Sequence, residues 1–280
     1  MPLNATYFQY FSAIGFPVSN QIDFERLLKL TLERGRSLPI IGGKYVVWQP
    51  GDGVELWVKI KDRGIRSCLP HFSGEGVLSI LVSQLSGRTH EFTDGALRGT
   101  ALADSGAYPL LLDLPDFEST APHLAAQERV SMQVAALARE MYCFAEDRDY
   151  LAWARTNGRG NAPSLEMLEA IDALPGESLP DAALVTVTAR VLKAQMRTNP
   201  ATQQSFITLT AQAPGGTVDV ATEPRVASGD LVVGGLIHGT FRLTGRVRES
   251  ASTRDTPEPE TKSSATPVLS RLTQWVRGSS

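Results

Sequence analysis

Apolar residues recur with two periods along this chain. In the first part, Phe24, Leu27, Leu28 and Leu32 return at helical spacing, with Ser19 or Asn20 before them as a cap and Gly35 after them as a stop, which predicts a helix. Short runs rich in β-branched and aromatic residues surround it. Ile14 to Val18, Leu38 to Ile41, Tyr45 to Trp48 and Val54 to Ile60 each read as a strand, the last two joined by Pro50-Gly51-Asp52-Gly53. Cys68 to Phe72, Val77 to Leu85, Leu97 to Leu102 and Tyr108 to Leu114 continue the series. One helix among many strands predicts an α+β domain over 1–120 with a mostly antiparallel sheet.

The pattern then changes. Val130, Val134, Leu137, Met141 and Phe144 follow one another at spacings of four, three, four and three, which predicts an amphipathic helix. Ser164 is positioned to cap a second, short helix carrying Leu165, Met167, Leu168 and Ile171. Residues 121–180 therefore read as a helical connector. From 183 to 248 the period is two: strands at Leu184 to Val191, Phe206 to Leu209, Thr217 to Val220, either Leu231 to Val233 or Leu236 to His238, and Phe241 to Val247, with glycine at the bends. Five short strands in that span predict a small β-barrel. Residues 249–280 are first rich in Ser, Thr, Pro and Glu, a composition that predicts a disordered tail, and then carry Val268, Leu269, Leu272, Trp275 and Val276 as a short amphipathic helix over 267–277.

Composition sharpens this only at a few points. The chain has 280 residues, 42% hydrophobic and 20% charged, with a net charge of −3, so no global field recruits nucleic acid or an anionic membrane. No apolar run is long enough to span a bilayer, and no basic leader precedes an apolar one, which predicts a cytoplasmic protein. Cys68 and Cys143 are the only cysteines, read as reduced thiols. The segment 183–248 differs from the whole: seven basic residues stand against three acidic ones, a surplus of four. Arg190, Lys193, Arg197, Arg242 and Arg246 are thus the candidates for a surface that binds a partner or single-stranded nucleic acid. Phe206 and Phe241, the two aromatics there, read equally as core. In the tail, Leu269, Leu272, Trp275 and Val276 are candidates for docking on a partner protein.

Candidate chemistry in the first half is thinner. Glu55 and His71 are the candidate metal ligands, with Glu75, His90 and Glu91 nearby in sequence, but no HxH or HExxH spacing sets two donors on one face. Tyr45, Trp48, Trp57 and Phe72 either line a pocket or fill a core. No P-loop, GxGxxG, CxxC or Ser/His/Asp motif is evident, and no cofactor is expected.

Three resemblances add to this. The β-α-β-β-β order over Phe11 to Ile60, with Glu55-Leu56-Trp57 following a glycine turn, resembles one module of the glyoxalase, or vicinal-oxygen-chelate, superfamily. That likeness implies Glu55 as a metal ligand, while the family's other ligand position falls on Phe11 or Ser12. The strand pattern of 183–248 resembles an OB-fold. The segments FSAIGFPV, GVELWVKI, PHFSG, TDGALRGTA, YPLLLDLPDF, RTNPATQQSF, GGTVDV and GTFRLTGRV are similar to a family of uncharacterised bacterial two-module proteins, which implies a layout and no chemistry.

The expectation from sequence is an α+β chain: a mostly antiparallel N-terminal sheet with helices, a helical connector, a small OB-like β-barrel and a disordered tail. Its expected role is a non-enzymatic binding or adaptor protein that docks a protein or single-stranded nucleic acid. The alternative is a metal-dependent or small-molecule-binding enzyme using the N-terminal module. The sequence leaves the oligomeric state open.

Overall fold

A computed structural model of the chain describes residues 5–87, 93–158, 163–171 and 183–248. The chain enters through α1 (Ala5–Ser12) and α2 (Gln21–Arg34). Asn20 caps α2 as its position predicts: its side chain accepts hydrogen bonds from the amides of Ile22 and Asp23 at 2.9 and 3.0 Å. Gly35 ends the helix as expected, but in an extended rather than a left-handed conformation. Its φ is −77°, and a Cβ there would lie 2.6 Å from Val46 Cγ1, so glycine is needed for close approach to the sheet. Ile14 to Val18 is not a strand. It follows α1 as a turn and an extended stretch, and its apolar residues fill the core, with Ile14, Phe16 and Val18 all buried.

Strands β1 (Arg36–Ile40), β2 (Gly43–Gly51), β3 (Val54–Lys61) and β4 (Gly64–Phe72) form a four-stranded antiparallel sheet in that order. The hairpin between β2 and β3 turns on Asp52 and Gly53, both left-handed at φ 52° and 77°, a conformation that twists with the flanking strands.

The rest of the described chain is mostly one mixed sheet of ten strands. It begins with β5 (Val77–Gly87), β6 (Gly95–Ala103) and β7 (Gly106–Leu114), then a single helical turn, α3 (Phe117–Thr120). There follow β8 (Arg129–Phe144), α4 (Asp147–Thr156), β9 (Met167–Ala170), β10 (Leu184–Thr198), β11 (Ser205–Ala213), β12 (Gly216–Thr222), β13 (Ala227–Gly229) and β14 (Leu236–Val247). The pairings close twice. One ring runs β8, β14, β10, β11, β12 and back to β8, the last pairing parallel. The other runs β8, β5, β6, β7, β14 and back to β8, closed by the pair Thr244 and Asp113. The two rings share the β8–β14 ladder.

This corrects the expected α+β class. The described structure is mostly β, a large mixed sheet beside a small antiparallel one. The strands of 183–248 close no barrel by themselves, because their ring needs β8. The helix expected over 130–144 is that strand, and the helix expected over 164–171 is β9. From Met132 to Ala138, β8 is buried on both faces. Val130, Met132, Val134, Ala136 and Ala138 point into the cluster that fills the rings, while Ala135 and Leu137 point into the cluster under the four-stranded sheet. A bulge opposite Thr240/Phe241 skips Arg139 and shifts the parity, so Met141 and Cys143 rejoin the first cluster. Strand alternation on two buried faces, shifted once, mimics a helical stripe.

The second cluster packs Phe11, Phe24, Val46, Leu56 and Val58 against Phe206, Ala221 and Leu137. The four-stranded sheet and its helices thus cover one side of the large sheet, and α4 covers another part of its outer face, where Tyr150 and Trp153 pack on His238 and Tyr150 reaches Thr188. No helix among the described residues is long and apolar enough to cross a membrane.

Candidate binding cleft

Two regions concentrate polar side chains. The first is a seam where the four-stranded sheet meets the rings. Glu55 and His71 are direct register partners on β3 and β4. Glu55 accepts from Gln49 Nε2 at 2.7 Å and Trp57 Nε1 at 2.8 Å, and Arg246 Nη1 lies 3.5 Å away. His71 Nδ1 lies 2.8 Å from Thr244 Oγ1. Burial drives its pKa down to about 4, against the attraction of Glu55, so the ring is neutral. Arg246 also lies 3.3 Å from Asp116 and stacks over Trp57 at 4.8 Å. Lys59 reaches Asp94 and Glu118, each at 2.5 Å. Burial disfavours the Lys59 cation, but these two carboxylates outweigh it and hold its pKa above the ordinary value. Tyr45 donates to Asp94 and accepts from the amide of Glu118. Deeper still, Arg242 pairs with Asp113 at 2.7 Å and faces the rings of Tyr7 and Tyr10.

Glu55 and His71 do not fit a metal centre. The carboxylate oxygens of Glu55 already serve Gln49, Trp57 and the Arg246 guanidinium, whose charge opposes a cation. Among the described residues no group of three or more His, Cys, Asp or Glu side chains converges. Glu75 lies elsewhere, on the rim of the cleft, and His90 and Glu91 lie outside the described residues.

The second region is open. A cleft of about 670 Å³ lies on the outer face of β10, β11 and β12, walled by the β4–β5 connection. The alternation of the strands sets its floor. Ile207, Leu209 and Ala211 of β11 turn toward the ring interior, so Thr208 and Thr210 turn outward, opposite Gln195 and Lys193 of β10. Asp219 of β12 sits opposite Thr210. Asp219 accepts from the amide of Gly76 at 2.7 Å and from Gln133 Nε2 at 3.0 Å. Burial raises its carboxyl above the usual range in spite of those bonds. Phe72, Ser73, Gly74 and Glu75 form the wall, and a Cβ on Gly76 would lie 2.6 Å from the Asp219 amide, so this crossing depends on glycine. Lys193 and Glu75 pair across the mouth at 2.6 Å, both well exposed. Arg197 donates to Thr208 Oγ1 at 3.0 Å and Gln195 Oε1 at 2.9 Å and lies over the Phe72 ring. Leu192, at a bulge in β10, and Val233 complete the lining, 43% and 64% exposed.

The five basic residues singled out by sequence are therefore split. Lys193 and Arg197 come together on the cleft. Arg190 is turned away, held by Asp147 at 3.0 Å and the carbonyl of Gly234 at 2.7 Å. Arg242 and Arg246 belong to the seam. Phe206 and Phe241 are fully buried, as are Tyr45 and Trp57 nearly so, and of the four suspected pocket aromatics only Phe72 lines the cleft. The tail candidates Leu269, Leu272, Trp275 and Val276 lie outside the described residues. Thr208, Thr210 and Asp219 were not singled out by sequence, although the polar–apolar alternation of 206–211 marks the outward threonines.

No protein-family model, curated protein or solved structure matches the chain. Any functional reading rests on the geometry alone.

Proposed function

We propose that this is a non-enzymatic binding protein whose cleft on β10–β12 holds a segment of another protein. The observation that carries this reading is the mixed lining: hydroxyls, an amide, two cations and two carboxyls beside exposed Leu192 and Val233. Such a surface suits a polypeptide, which brings both main-chain polar groups and apolar side chains. It suits single-stranded nucleic acid less. Base stacking needs exposed aromatic faces, and Phe72 is 3% exposed and already faces Arg197. No histidine or cysteine lines the cleft, so the acid–base and thiolate chemistry of those residues has no seat there. A cytoplasmic location is consistent with Cys68 and Cys143, both buried free thiols.

Photocrosslinking in the native host tests this. A photoreactive residue at Gln195, in the cleft, is expected to give discrete protein adducts, and one at Glu33, on the exposed side of α2, is not. Identical adduct patterns at the two positions, or adducts to nucleic acid alone, contradict the reading.

A further inference from the structure

The cleft borders a strand edge that has no partner among the described residues. β10 pairs with β14 only through Arg190 and with β9 only from Val185 to Thr188, whereas β11 follows it to Thr198. Val191 gives its amide to Gly235 O at 2.9 Å and takes the amide of Gly234 at 2.8 Å, both on the β14 side. At the far end the amide of Asn199 turns to Gln204 O, on the β11 side. Counting between these points, with the bulge at Leu192, turns the main-chain groups of Lys193, Gln195 and Arg197 to β11. Those of Ala194, Met196 and Thr198 face the open edge. Met196 is 63% exposed on that edge, and Leu192 and Val233 stand at its upper end.

We infer that this edge takes an extended acidic segment of a partner protein as an added strand, its main chain paired with Ala194, Met196 and Thr198. The inference rests on the protein-binding reading of the cleft and specifies how it binds. An open edge with exposed apolar side chains is a ready template for such a strand. The charge selects the occupant. The side chains of β10 on the cleft face are Lys193, Gln195 and Arg197, two cations flanking an amide. Arg197 bonds only to neutral groups at close range, with Asp52 no nearer than 3.9 Å. Lys193 is held by Glu75, an exposed pair on a different segment that an incoming carboxylate can displace. An added strand therefore places acidic residues four apart on the cleft face, with apolar residues between them beside Met196. A second copy of this chain is a poorer occupant, because pairing centred on Gln195 sets Lys193 opposite Arg197.

The probe is a phage-displayed random 12-mer library selected on the full chain, followed by the selected peptides made synthetically. The expected peptides carry acids at i and i+4 with apolar residues at i+1 and i+3. N-methylation of alternate peptide amides should weaken binding by about tenfold or more, since each removes a ladder bond. Met196→Pro should do the same through the protein's own amide, and an edge strand tolerates proline. Arg197→Glu should exchange the acidic preference for a basic one. If Met196→Pro fails to fold, the N-methylated peptides decide alone. Peptides that bind and are lost with Thr210→Trp in the cleft, yet ignore N-methylation, overturn strand addition and leave the protein-binding reading standing. No selected peptide at all overturns both. A dimer in light scattering that dissociates in Met196→Pro assigns the edge to a second copy and overturns the inference.

Discussion

The seam and the cleft are built from the same residue types and do opposite things with them. In the seam, Arg242 and Asp113 are 4% and 0% exposed, and Lys59, Asp94, Glu55 and His71 are all buried. The charged groups among these are matched by partners on other elements: Arg242 on β14 with Asp113 on β7, Lys59 on β3 with Asp94 ahead of β6, Glu55 on β3 with Arg246 on β14. The Lys59–Asp94 and Glu55–Arg246 pairs tie the small sheet to the rings, and Arg242–Asp113 ties two strands of the large sheet together. In the cleft, Lys193, Glu75 and Arg197 are at least partly in water, and their mutual bonds are exchangeable. The comparison teaches that a local surplus of arginine does not identify a binding surface. Burial decides which cations hold the protein together and which remain for a ligand.

Removing one charge should separate the two regions cleanly. Arg242→Ala takes the guanidinium away from the buried Asp113 carboxylate and from the rings of Tyr7 and Tyr10, and should destabilise the fold by about 3–5 kcal/mol in urea unfolding. The next largest effect is on pH. His71 is neutral in the fold, with a pKa near 4, and titrates near 6.5 in the unfolded chain. The unfolded state therefore binds more protons between those values, and stability falls as pH drops from about 6.5 to about 4, by up to ~3 kcal/mol. His71→Gln should flatten that part of the curve, while His123→Gln, on an exposed turn, should not. A seam that kept its full pH slope in His71→Gln would be misdescribed. Smallest in stability is the cleft. Glu75→Gln should leave the unfolding midpoint unchanged and should tighten binding of the selected acidic peptides severalfold, because it frees Lys193.

How much of this is legible from the residues varies by element. The α2 cap at Asn20 and the β2–β3 turn at Asp52-Gly53 are local signals, and both hold. β8 is not legible, since its alternation serves two cores and shifts at Arg139. Val130, Val134, Leu137, Met141 and Phe144 then fall by chance on a helical stripe. The ring closure that joins β8 to strands beyond residue 183 is a long-range pairing that no local pattern encodes. The outward row Lys193, Gln195 and Arg197 can be read from period two. The burial of Arg242 on its neighbouring strand cannot, because β14 lies under the small sheet only in the assembled fold.

Native-state hydrogen exchange on the full chain tests the central distinction most directly. Within the single strand β10, amides of Val185 and Val187, where β9 and β14 flank the strand, and of Ala189, paired with β14, should exchange only on global unfolding, as should those of Val134 to Ala138 in β8. Amides of Ala194, Met196 and Thr198 should exchange fast in the free protein and slow on addition of a selected acidic peptide. Equal protection along the whole of β10 in the free protein would show that the edge is already covered, and would contradict the account.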